Sequence, residues 1–230
     1  MMTTKDIAKY AKDNWLSDQR YYNTIAEISK SENKKALVNS PKKIFWFDNI
    51  SNDLYEKKDK LPSSADGAIV TTNALYLIEF KSGFKKKITK QNLDPEKAKC
   101  DYKDGICKFY WDLFFKNQNT ETKNLITSIR NKAIESYITL EKRLFPKCMD
   151  LDQQYKLVFI VVIDENELDN MEATLGDLCS KEPLSDNCFK NINNSLKRCI
   201  KQKDTNGEDY YYDEIKVMSS YEFILFIENT

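Results

Sequence analysis

The sequence predicts an α/β (α+β) fold: a central mixed β-sheet flanked by helices. Three observations predict it. Two apolar, β-branched or aromatic runs, Ala68 to Thr71 and Leu75 to Phe80, flank Thr72-Asn73 and read as a β-hairpin over 67–82. Residues 124–145 carry an apolar stripe at helical spacing. The run from Lys156 to Asp164 is apolar without interruption between its ends. Such a run reads as a strand buried on both faces, in the middle of a sheet with helices on each side.

The elements follow in order. Residues 4–38 read as helical. Ile7, Tyr10, Ala11 and Trp15 make one stripe, and Ser17-Asp18 caps a second helix with the stripe Tyr21, Ile25, Ile28, Glu32 and Ala36. Lys43 to Asp48 reads as the first strand, and the polar residues 49–64 as a loop. The hairpin follows. Residues 106–115 are dense in aromatics. Ile106, Phe109, Tyr110, Leu113 and Phe114 fit one helical face, read as core in preference to a base-stacking or dimer face. In the long helix, Ile126, Ile129, Ala133, Tyr137, Leu140 and Leu144 form the stripe and Pro146 stops it, with Arg130 and Lys132 projecting away. After the central strand come two more amphipathic helices, carrying Leu168 to Leu178 and Phe189 to Cys199. An acidic loop over 204–214 and an edge strand from Phe223 to Ile227 complete the chain. No repeat or interdomain linker stands out, so residues 1–230 read as one domain. It has a Lys-rich and aromatic insertion at about 84–118 and a helical C-terminal extension at about 165–230.

Composition narrows the chemistry. The chain has no His, which removes Ser-His-Asp and Cys-His catalysis and His-ligated zinc. Six Cys with no C-x-x-C pair argue against structural zinc and for reduced thiols. Basic and acidic residues number 36 each, so net charge does not advertise a nucleic-acid binder, and local patches decide the matter. No apolar run is long enough to cross a membrane. Met1 to Asp6 lacks the apolar core of a signal peptide, so the expected location is cytoplasmic, with no membrane partner.

The hairpin carries the chemistry. Asp66 starts one strand and Glu79 ends its neighbour, so acids 13 residues apart become adjacent. Side chains alternate along a strand, so Glu79 and Lys81 share a face and Phe80 points the other way. Two carboxylates and an amine then converge, and such oxygen donors suit Mg²⁺ or Mn²⁺.

An acid before a hairpin, then Glu79-Phe80-Lys81, with Ser82-Gly83 closing the strand, resembles the PD-(D/E)xK, or restriction-endonuclease-like, nuclease superfamily. The motif proline is absent: Ala65 precedes Asp66, and Pro62 lies four residues before it. The resemblance is specific over about 20 residues and topological over the rest. It implies a restriction-endonuclease-like core with helical additions. The implied function is metal-dependent nuclease hydrolysis of phosphodiester bonds in nucleic acid, by endo- or exonuclease action, DNA in preference to RNA, leaving 5′-phosphates. It implies Asp66 and Glu79 as metal ligands with the Phe80 backbone carbonyl, and Lys81 beside the attacking water. It also implies a further acid from a preceding helix, Glu32 or Glu27. Glu32 can equally lie past the helix end in water. A homodimer is a further expectation of the resemblance.

Seven lysines against two acids over 81–99 give a local positive excess beside the motif. Lys85, Lys86, Lys87 and Lys90 are candidate phosphate contacts, with a solvated loop as the other reading. Two other function classes stand beside the nuclease. One is a restriction-endonuclease-like module that has lost catalysis and serves nucleic-acid binding or protein assembly. The other is an unrelated α/β domain in which Glu79 and Lys81 form a surface pair.

Overall fold

The computed structural model describes residues 4–30, 35–56, 61–81, 124, 126–145, 155–163 and 211–230. Within them the chain forms a mixed six-stranded sheet whose strands lie side by side in sequence order. They are β1 (Tyr22–Thr24), β2 (Lys43–Phe45), β3 (Gly67–Val70), β4 (Ala74–Lys81), β5 (Lys156–Ile163) and β6 (Glu214–Ser219). β1 to β4 pair antiparallel, whereas β5 pairs parallel with both β4 and β6. Helices α1 (Thr4–Trp15), α2 (Ile25–Ile28), α3 (Phe47–Asp53), α4 (126–139) and α5 (Ser220–Glu228) flank the sheet.

The strand parities assign each helix to a face. Leu75 and Leu77 of β4 and Leu157, Phe159, Val161 and Ile163 of β5 pack with Ile7 and Trp15 of α1, Ile50 of α3 and Ile129 and Ala133 of α4. The intervening residues Ile78, Phe80, Val158, Ile160 and Val162 pack with Ile25 and Ile28 of α2 and Phe223 and Ile227 of α5. The two-faced burial expected of the 156–164 run is therefore realised in β5. The hairpin matches as well. Its turn is held by Thr71, whose N–H donates to the Ala74 carbonyl at 2.9 Å and whose Oγ1 accepts from the Ala74 N–H at 3.0 Å. α4 continues into a π-helical turn over Leu140–Leu144, just before Pro146.

Three elements differ from expectation. The second N-terminal helix is confined to Ile25–Ile28, because Tyr22–Thr24 pairs with β2 as a strand. Thr24 Oγ1 then caps α2 by accepting from the Glu27 N–H, and Lys30 forms an isolated antiparallel bridge with Ala36. Its apolar residues sit at helical spacing, but β2 offers the backbone of Tyr22–Thr24 ladder partners. Second, the expected strand over 43–48 stops at Phe45, and the expected loop begins with α3, which buries Phe47, Ile50 and Ser51 at helical spacing. Third, Phe223 to Ile227 is helical, and the edge strand is β6. Ser219 and Glu222 form a reciprocal capping box, a local start signal that overrides the β-leaning composition of the run. Residues 211–230, expected within a helical extension, thus contribute a strand and a helix to the sheet layers.

The aromatic 106–115 segment, the helices expected around 168–178 and 189–199 and the acidic stretch before 211 lie outside the described residues. Among the described residues, no helix is long and apolar enough to cross a membrane.

Candidate functional site

The site forms where β3 begins and β4 ends. The Asp66 N–H donates to the Ile78 carbonyl at 2.9 Å, continuing the hairpin ladder one residue beyond Gly67. At the next rung the backbone of the partner strand is replaced by a side chain: Asp66 Oδ2 accepts from the Phe80 N–H at 2.7 Å. A strand residue sends its N–H and C=O to the same edge, so the Phe80 carbonyl leaves β4 on the edge that Asp66 occupies. The Phe80 ring points to the opposite face of the sheet, 5.6 Å from the Phe223 ring.

Glu79 follows Leu75 and Leu77 onto the face covered by α4, and it is fully buried. Lys81 lies two residues on, and its Nζ is 2.7 Å from Glu79 Oε1. That approach lacks hydrogen-bond geometry, and Oε1 has no hydrogen-bond partner among the described residues. The sequence therefore brings together the three groups it was expected to: Asp66, Glu79 and Lys81.

It also brings a fourth. Lys132 of α4 reaches between the acids, with Nζ 3.0 Å from Asp66 Oδ1 and 2.9 Å from Glu79 Oε2. The periodicity had Lys132 projecting away from the apolar stripe, which is correct, but the direction is toward the site and not toward water. One signal could have exposed it. Lys132, Glu135, Ser136 and Thr139 form a second, polar stripe at helical spacing. Each member has a partner near the site or on the chain leading into it. A Glu135 carboxylate oxygen accepts from the Ser63 N–H, Ser136 Oγ accepts from the Ala65 N–H at 2.8 Å, and Thr139 meets the Tyr55 hydroxyl at 3.0 Å. The Tyr212 hydroxyl, donating to the Ala133 carbonyl at 2.7 Å, holds the same stretch of helix from the other side. Asp48 completes the support, accepting from Ser64 Oγ while its N–H donates to the Asp66 carbonyl at 3.5 Å. The approach to Asp66 is thus fixed by α3 and α4, so its carboxylate is held in place before any ligand arrives.

Electrostatics follow from burial. Desolvation, then the neighbouring Asp66 charge, pushes the Glu79 carboxyl up to about 7, against the pull of the Lys81 and Lys132 ammoniums. Burial works against the Lys132 charge, but Glu79 and then Asp66 outweigh it and raise its pKa. Replacing Asp66 with Asn removes a repulsive charge and leaves Lys132 to Glu79 alone, and both changes favour ionised Glu79. The Glu79 titration, followed by carboxyl ¹³C NMR, is expected to move below 7 in Asp66→Asn. An unchanged or higher midpoint contradicts the assignment of Asp66 as a repulsive neighbour.

Glu27, a candidate for a further acid, sits on α2 in an ion pair with Lys30. Among the described residues, no third acid or Cys joins Asp66 and Glu79 in a group able to hold a metal. Glu32 and the lysines 85, 86, 87 and 90 lie outside the described residues. Comparison with known proteins adds no further constraint: no family model matches the chain, and neither does any curated protein or solved structure.

The atoms of the site fit a hard divalent cation. Two carboxylates bridged by one ammonium, with a backbone carbonyl directed to the Asp66 side of β4, make an all-oxygen donor set. Mg²⁺ is commonly held by one or two carboxylates, with waters and substrate phosphate filling the other positions, so a third acid is not required.

Proposed function

We propose that the chain is a metal-dependent nuclease of the PD-(D/E)xK, restriction-endonuclease-like type, hydrolysing phosphodiester bonds in DNA in preference to RNA. The observation that carries this reading is the meeting of Asp66, Glu79 and Lys81 at the end of β4, the two carboxylates close enough for the Lys132 ammonium to bridge them. The hairpin, the helix that follows it and the parallel β5 give support at the level of topology.

In this reading Asp66, Glu79 and the Phe80 carbonyl would hold Mg²⁺ or Mn²⁺. A bound ion of that kind neutralises phosphate oxygens and lowers the pKa of a coordinated water. Lys81, fixed beside Glu79, would orient the attacking water and offset charge developing on the phosphate. Phe80 anchors the motif to the opposite core, so the strand that presents Glu79 and Lys81 cannot rotate. The test is a cleavage panel of single- and double-stranded DNA and RNA with Mg²⁺, Mn²⁺ or EDTA. Divalent-dependent hydrolysis that leaves 5′-phosphates is expected. Absence of cleavage on every substrate with either ion counts against the reading.

One observation favours a second reading, a restriction-endonuclease-like module without catalysis. Two ammoniums already balance the two carboxylates, so the cluster is closed within the chain. Calorimetry separates the two: Asp66-dependent uptake of Mn²⁺ belongs to the nuclease, and no uptake to the inert module.

A further inference from the structure

We propose that Lys132 is a resident cation of the Asp66–Glu79 pair, which holds the pair together without metal and must leave it for a divalent ion to bind. The inference rests on the metal-binding reading above and adds a residue, on a different element, that controls access to it.

The geometry supplies the argument. Lys132 Nζ takes one oxygen from each acid, Asp66 Oδ1 and Glu79 Oε2. The other Asp66 oxygen is held by the Phe80 N–H, and the other Glu79 oxygen faces Lys81. An ion that takes one oxygen from each acid and leaves the Phe80 N–H and Lys81 contacts in place takes the two that Lys132 holds. Charge leads to the same conclusion. Two carboxylates against two ammoniums sum to zero, so a dication added without displacement would leave a largely buried cluster at plus two. A lysine suits the role because its ammonium is a compact charge on a flexible stem, able to leave without moving the helix. Lys132 is partly solvent-exposed, whereas Glu79 is fully buried, so the way out is on the lysine's side. Once displaced, the ammonium lies beside a site of net positive charge, where an incoming phosphodiester is the matching anion.

Two measurements test this. Lys132→Gln removes the competing charge and keeps a side chain of similar length. It is expected to bind Mn²⁺ about tenfold or more tightly than the unmodified chain, read by calorimetry or by free-Mn²⁺ electron paramagnetic resonance. The unmodified chain gives a second readout that no folding defect can imitate. Lysine acylation followed by peptide mapping should show Lys132 labelled several-fold faster with saturating Mn²⁺ than in EDTA, with surface lysines such as Lys142 unchanged. Asp66-dependent Mn²⁺ binding with equal affinity in Lys132→Gln and an unchanged Lys132 labelling rate would overturn the displacement and leave the metal site standing. Failure of the unmodified chain and of Lys132→Gln to take up Mn²⁺ would overturn both.

Discussion

Asp66→Asn is expected to abolish divalent-dependent cleavage while leaving the chain folded. The amide is nearly isosteric, and its oxygen can still accept from the Phe80 N–H, so the side-chain rung that closes the hairpin survives. What it loses is the anionic oxygen that faces the Lys132 ammonium, the position a metal would use. If the lost charge stabilisation is about 4 kcal/mol, the rate falls about a thousandfold. Lys81→Ala should lower the rate by about 10²–10⁴-fold, the range for a positioned group acting on the nucleophile, without removing Mn²⁺ binding. The pair of variants separates the roles: Asp66→Asn loses metal uptake and rate together, Lys81→Ala loses rate alone. Equal cleavage by Asp66→Asn and the unmodified protein would place the activity elsewhere.

The second large effect is on stability. Lys132→Met is expected to destabilise the metal-free protein by about 3 kcal/mol, because breaking one side of a buried ion pair leaves an uncompensated charge. The low end of that effect applies, since Lys81 still faces Glu79. Against a total stability of about 5–15 kcal/mol, the loss is large enough to read from a urea midpoint. A second change has opposite signs in the two backgrounds. Glu79→Gln should destabilise the unmodified chain, where it leaves Lys132 and Lys81 with a single acid. In the Lys132→Met background, at a pH high enough to keep Glu79 ionised, the same change should stabilise, because it removes a buried charge that Lys81 alone then balances. A double-mutant cycle measured in EDTA reports this coupling directly. Additive effects would mean that Lys132 and Glu79 do not interact, whatever their distance.

Much of the site was legible because it is local. Asp66, Glu79 and Lys81 are carried by one hairpin, and the alternation of side chains along a strand is enough to place Glu79 with Lys81 and to send Phe80 to the other face. β5 was legible for a related reason: a strand covered on both sides has to be apolar at every position, and no partner needs to be known to see it. The errors fell where two local patterns compete. Tyr22 to Thr24 lies within a helical stripe, yet β2 offers it a ladder. Phe223 to Ile227 looks like a strand, yet Ser219 and Glu222 start a helix just before it.

The sequence by itself determined the layers, the hairpin and the pairing of two acids with Lys81, because each rests on a short-range period or on the reach of one turn. Only the tertiary structure decided which helix covers the Leu75–Leu77–Glu79 face, and so which cation the acids share. That choice depends on the chain between β4 and β5 returning across the sheet, which seats Ile129 and Ala133 on the leucines and carries Lys132 to the carboxylates. A residue 53 positions from its partner leaves no period to read, and its direction is settled only when the apolar stripe beside it is buried.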